Sequence, residues 1–257
     1  MDWPKSLAPP EVQLLAMLRG ERVAQGAWST PAAAERFLRA ARFHGLMPLL
    51  DARLRDTAQG ECPPEIAETC RRETLRQGAY ELAHRAELTR VLAALDEAGV
   101  RPLLLKGTAL AHGLYPSPVL RPRADTDLLI PVASRELVAT ILSRLGYSRR
   151  EGVQGELVSY QATWKRSDRM AATHCLDVHW RINNSPLLAT LLGYEELAAR
   201  AVAVPGLGPH AYGLAAVHAL LLACIHRAGH AHAPYYVDGV AHPATDRIIW
   251  LYDIHLL

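Results

Sequence analysis

Lysine is almost missing from this chain: it occurs only at Lys5, Lys106 and Lys165, so 25 of the 28 basic residues are arginine. With abundant alanine and leucine, that bias reads as the codon usage of a GC-rich genome. Most arginines then belong to solvated helix faces, and each retained lysine, Lys106 above all, stands out. Aromatic residues make up only 6% and the net charge is +2, which argues against a broad electrostatic surface for nucleic acid and leaves room only for a local basic groove. Cysteine is sparse. Cys62, Cys70, Cys175 and Cys224 lie far apart with no Cys-x-x-Cys pair, so neither a zinc knuckle nor a disulfide framework is indicated, and they read as reduced, mostly buried thiols. No run approaches the roughly 20 apolar residues that cross a bilayer. The opening Met-Asp-Trp-Pro-Lys lacks a basic segment followed by an apolar run. The expectation is a cytoplasmic protein with no membrane partner.

What is present is a chain of 257 residues, half of them hydrophobic, enough for one large domain or a core with helical additions. Ser29-Thr30-Pro31 is a helix start, with a capping hydroxyl and proline in the first turn, and His44-Gly45 ends that helix. Beyond a break at Gly60 to Pro64, residues 65–98 place Leu75, Leu82, Leu88, Val91, Leu92 and Leu95 at helical spacing and read as core. Gly99 to Pro102 breaks the pattern, and Leu103-Leu104-Leu105 suits a buried strand. A turn at Lys106-Gly107-Thr108, a short helix over 109–114 and a Pro-rich loop from Tyr115 to Arg123 follow. Thr126 to Ile130 reads as a strand, and Ser134 as the cap of a helix reaching Leu145. Glu156 to Trp164 and Cys175 to Arg181 are further strands, joined by a hairpin over Lys165 to Thr173. Helix returns from about Ser185, breaks at Pro205 to Pro209, and resumes over Ala211 to Arg227 and from Asp246. The last pattern has no terminating signal at Leu257, so the natural chain is expected to continue.

Strand side chains alternate between faces, so Asp125 and Asp127 project to one side at the start of an apolar strand. Two neighbouring carboxylates repel each other, and a divalent cation such as Mg²⁺ relieves that repulsion. A solvated Asp-x-Asp in a loop has the same sequence. Lys106-Gly107-Thr108, between a strand and a helix, offers backbone N–H groups, a hydroxyl and a cation to a phosphate, and an ordinary strand-to-helix turn fits the same residues equally well. Asp177 lies inside a half-buried strand and needs a partner, either a metal shared with Asp125 and Asp127 or an arginine such as Arg181. His179 is on the same strand face as Asp177 and either orients substrate, moves a proton or is a hydrogen-bonded core histidine. His226 and His230 are one helical turn apart and, with His232, suggest a metal cluster or a cleft lining. Arg247 and Asp253 either line the cleft or pair with other charges.

The segments 103–110, 114–116, 121–130, 145–147 and 176–181, with 224–230 and 249–254 behind them, resemble an uncharacterised nucleotidyltransferase family of the DNA polymerase β-like superfamily. The likeness covers about residues 80–257. It implies an α+β fold: a nucleotidyltransferase core with a small mixed β-sheet flanked by helices, over 99–204, between helical regions at 1–98 and 205–257. It implies transfer of a nucleoside monophosphate from a nucleoside triphosphate to an acceptor, with release of pyrophosphate. Asp125, Asp127 and Asp177 would be the catalytic metal ligands for Mg²⁺, or Mn²⁺ in its place. Lys106, Gly107, Thr108, Arg121 and Arg123 would hold the nucleotide, and His179, Arg181, His226 and His230 would line the cleft. A Pro-rich insertion ahead of Asp125 departs from the shorter path of many superfamily members. The acceptor stays open between a small molecule, a protein and a tRNA. Two other readings are a toxin-like enzyme acting on tRNA or protein, and a non-catalytic nucleotide-binding or assembly protein, against which the three aspartates argue.

Overall fold

The computed structural model describes residues 9–21, 28–56, 62–149, 160–168, 172–230, 235–237, 240–242 and 246–257. Up to Glu97 the described residues hold no strand: α1 (Pro9–Leu18), α2 (Pro31–Phe43), α3 (Met47–Asp56) and α4 (Pro64–Glu97) follow one another. Thr30 caps α2 as its sequence demands, accepting from the Ala33 N–H at 3.2 Å. Helix α4 runs for 34 residues, about 50 Å at 1.5 Å per residue. Next come β1 (Leu103–Leu105), α5 (Lys106–Gly113), β2 (Thr126–Leu129), α6 (Arg135–Arg144), β3 (Ser148–Arg149), β4 (Gln161–Ser167), β5 (Thr173–His179), α7 (Pro186–Ala189) and α8 (Tyr194–Ala199). The rest is β6 (Val202–Ala203), β7 (Tyr212–Gly213), α9 (Ala216–His230), a hairpin of β8 (Tyr235–Val237) and β9 (Val240–His242), and α10 (Ile248–Leu256).

Seven of the described strands form one mixed sheet in the order β3-β4-β5-β2-β1-β7-β6. Alternation along the strands gives the sheet two apolar faces. Leu104, Leu128, Leu176 and Val178 pack with Leu88, Val91, Leu92 and Leu95 of α4 and Leu142 of α6. Leu103, Leu105 and Leu129 pack on the other face with Leu197 of α8 and Leu222 and Ile225 of α9. A third cluster joins α1 to α3, Ile66 and Cys70 of α4, Tyr115, and Ile248, Ile249 and Trp250 of α10. Helix α4 therefore spans two cores.

Several expectations are corrected. Leu75 and Leu82 are 66% and 71% exposed, because the helical stripe continues past the surface that α4 buries. Val217, Leu220 and Leu221 of α9 are exposed as well. Helix α5 starts at Lys106, so the expected three-residue turn shrinks to one left-handed residue, Lys106 with φ 47°. Ser134 makes no side-chain capping bond, since a short 3₁₀ turn leads directly into α6. The hairpin between β4 and β5 is tighter than Lys165 to Thr173, β4 reaching Ser167, and the proposed strand residues before Tyr160 lie outside the described residues. Residues 211–215 are not helical, and Tyr212 and Gly213 pair with β1. Of the four thiols, only Cys70 is buried, Cys62 and Cys175 are intermediate, and Cys224 is exposed. No described helix is long and apolar enough to cross a membrane.

Candidate active site

Strand pairing places the acidic residues. Asp127 of β2 is the register partner of Asp177 on the parallel neighbour β5 and of Leu105 on the antiparallel neighbour β1. Leu105 is followed directly by Lys106, whose left-handed backbone turns the chain from the sheet into α5. The Lys106 ammonium donates to Asp127 Oδ1 at 2.8 Å. His179, two residues beyond Asp177, places Nε2 at 2.8 Å from the same oxygen. Thr163, opposite Asp177 on β4, donates its hydroxyl to Asp177 Oδ1 at 2.6 Å. Asp177 forms no ion pair with Arg181 among the described residues, whereas the sheet makes it a neighbour of Asp127.

Ligand atoms of Asp127, Asp177 and His179 all lie within 4.8 Å of one another. Two carboxylates and an imidazole are a donor set that suits a divalent cation. Asp125 lines the same cleft but is outside that tight group. Burial, with Asp127 and Asp177 close by, pushes the Asp125 carboxyl up to about 7. Burial opposes ionisation of Asp127 too, yet Lys106 and His179 hold its carboxyl well below the usual range. Burial likewise works against the charge of Lys106, and Asp127 beside it keeps the ammonium above its ordinary value. The fit to a cation rests on the donor set itself, two carboxylates and an imidazole gathered at one place.

The predicted nucleotide residues fall into two groups. Lys106, Gly107, Arg121 and Arg123 line the cleft, a cavity of about 830 Å³. Thr108 does not line it: its hydroxyl is buried 2.9 Å from that of Thr126 and accepts from Arg123 Nε at 2.8 Å. Arg123 also forms a two-pronged ion pair with Glu81 of α4, at 2.8 and 3.0 Å, and His112 meets the same carboxylate at 3.0 Å. Arg121 grips Asp253 of α10 at 2.7 to 3.0 Å, and the Tyr115 hydroxyl donates to Asp253 at 2.7 Å. Sequence reasoning missed Glu81, His112, Tyr115 and Thr163, whose roles depend on pairings 14 to 138 residues apart.

His226 and His230 stand on the cleft wall formed by α9. Their rings are 4.4 Å apart, and Trp250 packs at 4.9 Å from the first and 5.1 Å from the second. Burial foremost, and Lys106 next, push His226 down to about 3. Among the described residues the pair belongs to no metal-ligand group, and His232 lies outside them. Arg181 does not line the cleft, whereas Arg42 of α2, Met47 of α3, Gln77 of α4 and Arg247 close its far side.

A strand, a tight turn into a helix, an acidic strand beside it and a third carboxylate on the next strand define a nucleotidyltransferase-like core. A family model described as an uncharacterised nucleotidyltransferase matches residues 30–257, and the chain belongs to that family. No curated protein matches the chain. Family membership implies a nucleotide substrate.

Proposed function

We propose that the cleft transfers a nucleoside monophosphate from a nucleoside triphosphate to a hydroxyl-bearing acceptor, with pyrophosphate leaving. The observation that carries this reading is the pairing of Asp127 with Asp177 on adjacent parallel strands, beside the Lys106-Gly107 entry into α5. Asp125, Asp127 and Asp177, with His179 at hand, would hold Mg²⁺ or Mn²⁺. The bound metal supplies Lewis-acid charge to phosphate oxygens in an in-line displacement.

The chain's own residues do the remaining work. Asp177, oriented by Thr163, accepts the acceptor's proton as the hydroxyl oxygen attacks the α-phosphorus. Lys106 turns from Asp127 towards the triphosphate and offsets its charge. Gly107 lets phosphate come close to the backbone: an added Cβ would meet Arg123 and Arg121 no nearer than 3.6 Å, so the protein itself does not require glycine there. Arg121 and Arg123, already tied to Asp253 and Glu81, shape that wall. The reaction belongs to a compartment rich in nucleoside triphosphate and Mg²⁺, as the cytoplasm is.

Thermal melting tests the binding half of this reading. Nucleoside triphosphate with Mg²⁺ is expected to stabilise the protein by about 2.7 kcal/mol at a hundredfold excess over Kd. The effect should vanish on chelation and in Asp127→Asn. Stabilisation that ignores Mg²⁺ and survives Asp127→Asn would contradict the assignment.

A further inference from the structure

Beside the acidic cleft lies a smaller slot of about 320 Å³, large enough for part of a ligand. Small residues make it: Ala109 and Gly113 of α5, Ala203 of β6, Gly213 of β7, and Ala219 and Ala223 of α9. Packed elements normally interdigitate side chains until such space is filled. Lys106, Arg121, Leu222, His226 and Trp250 line both slot and cleft, so the two meet at the cationic turn and the aromatic wall. Strand order gives the slot a direction. Asp177 is on β5, on one side of β2, whereas β1, which delivers Lys106, lies on the other, with β7 and β6 beyond it. The slot therefore opens on the phosphate side of the site, away from the carboxylate assigned to the acceptor.

We infer that this slot takes the nucleobase of the triphosphate, an assignment that rests on the nucleotidyl-transfer reading. A base is flat and apolar on both faces, and the slot that would receive it is lined chiefly by apolar side chains, with Trp250 and His226, packed edge-to-face on each other, at its junction with the cleft. A ligand seated there keeps its phosphates at Lys106 and its α-phosphorus towards the aspartates. The Asp253 side chain in the slot's lining is held by Tyr115 and Arg121. Shape and apolar contact, rather than hydrogen bonds to that acid, do the selecting.

The test fills the slot from its wall. Ala223→Leu and, separately, Ala219→Leu are titrated calorimetrically with ATP and with inorganic tripolyphosphate, both with Mg²⁺. The variants should keep the wild-type melting profile, lose about tenfold or more in ATP affinity, and bind tripolyphosphate within about twofold of wild type. Unchanged ATP affinity in both variants overturns the slot assignment. Equal weakening of both ligands also overturns it, because a base pocket leaves tripolyphosphate alone. Normal ATP binding with lost transfer would put the acceptor in the slot, and so overturns it too. Wild-type protein that binds neither ligand refutes the nucleotidyl-transfer reading itself, whereas binding of both by wild type with normal ATP affinity in the variants removes the slot alone.

Discussion

Lys106 adopts φ 47°, a conformation costing a non-glycine residue about 1–2 kcal/mol. The adjoining Gly107 has no such strain and is still glycine inside a helix, where alanine is better by roughly 0.5–1 kcal/mol. Gly107→Ala is therefore expected to leave the melting temperature equal or higher while transfer falls sharply, as thermal melts and turnover assays would show. A destabilised variant with normal turnover would mean that the glycine serves packing. Thr163 tests the third carboxylate in a different way. Thr163→Val removes the 2.6 Å bond to Asp177 and should lower kcat by about 10- to 100-fold, by analogy with lost outer-shell contacts at metal sites. KM for the triphosphate should stay near wild type, and Thr163→Ser should restore kcat. Asp125, Asp127, Asp177, Lys106 and Gly107 could be named as candidates from the chain because each carries its chemistry in its residue type, and they line one cleft. Thr163 could not, since its role comes from lying opposite Asp177 in a hairpin register that alternation alone does not fix.

Helix α4 is apolar at both ends of its buried face and polar in between, where Glu81 and His84 are buried. Those two, one turn apart, hold Arg123 and Thr126, the residues that bracket Ala124 and Asp125. Removing one partner of a buried ion pair usually costs about 3–5 kcal/mol, so Glu81→Ala should destabilise the fold by that order, measured by denaturant unfolding, and loosen the acidic loop with it. Its pH dependence follows. Despite opposing burial, His112 and Arg123 hold the Glu81 carboxyl down to about 2. The stability it contributes is complete above its ordinary value of 4.5 and is lost as pH falls from there through about 2. Glu81→Gln should lack that part of the acid transition. The helices α2 and α4 and the strands β1 and β2 were legible because caps, breakers and apolar periodicity agreed there. Strands β3, β6 and β7, two residues each, are too short to show a period and form only by pairing with a neighbour, β3 with β4, β7 with β1 and β6 with β7. The buried polar middle of α4 was hidden too, as its partners lie elsewhere in the chain.

The cleft is closed by parts of the molecule distant in sequence: the sheet with α5 on one side, α9 and α10 on another, and α2 to α4 at the far end. Asp253 of α10 ties this arrangement to the site through Arg121 and Tyr115. The resemblance, which the sequence motifs carried over about residues 80–257, thus reaches a family match over residues 30–257 that takes in α2, α3 and the start of α4. If the whole assembly carries out nucleotidyl transfer, the fate of each phosphate is fixed. The most direct measurement incubates the protein with Mg²⁺, candidate acceptors or cell extract, and triphosphates labelled at the α- or at the γ-phosphate. The α-label should appear on an acceptor, the γ-label should leave with pyrophosphate, and Asp127→Asn should give neither. Transfer of the γ-label, or equal α-label incorporation by wild type and Asp127→Asn, would contradict the account.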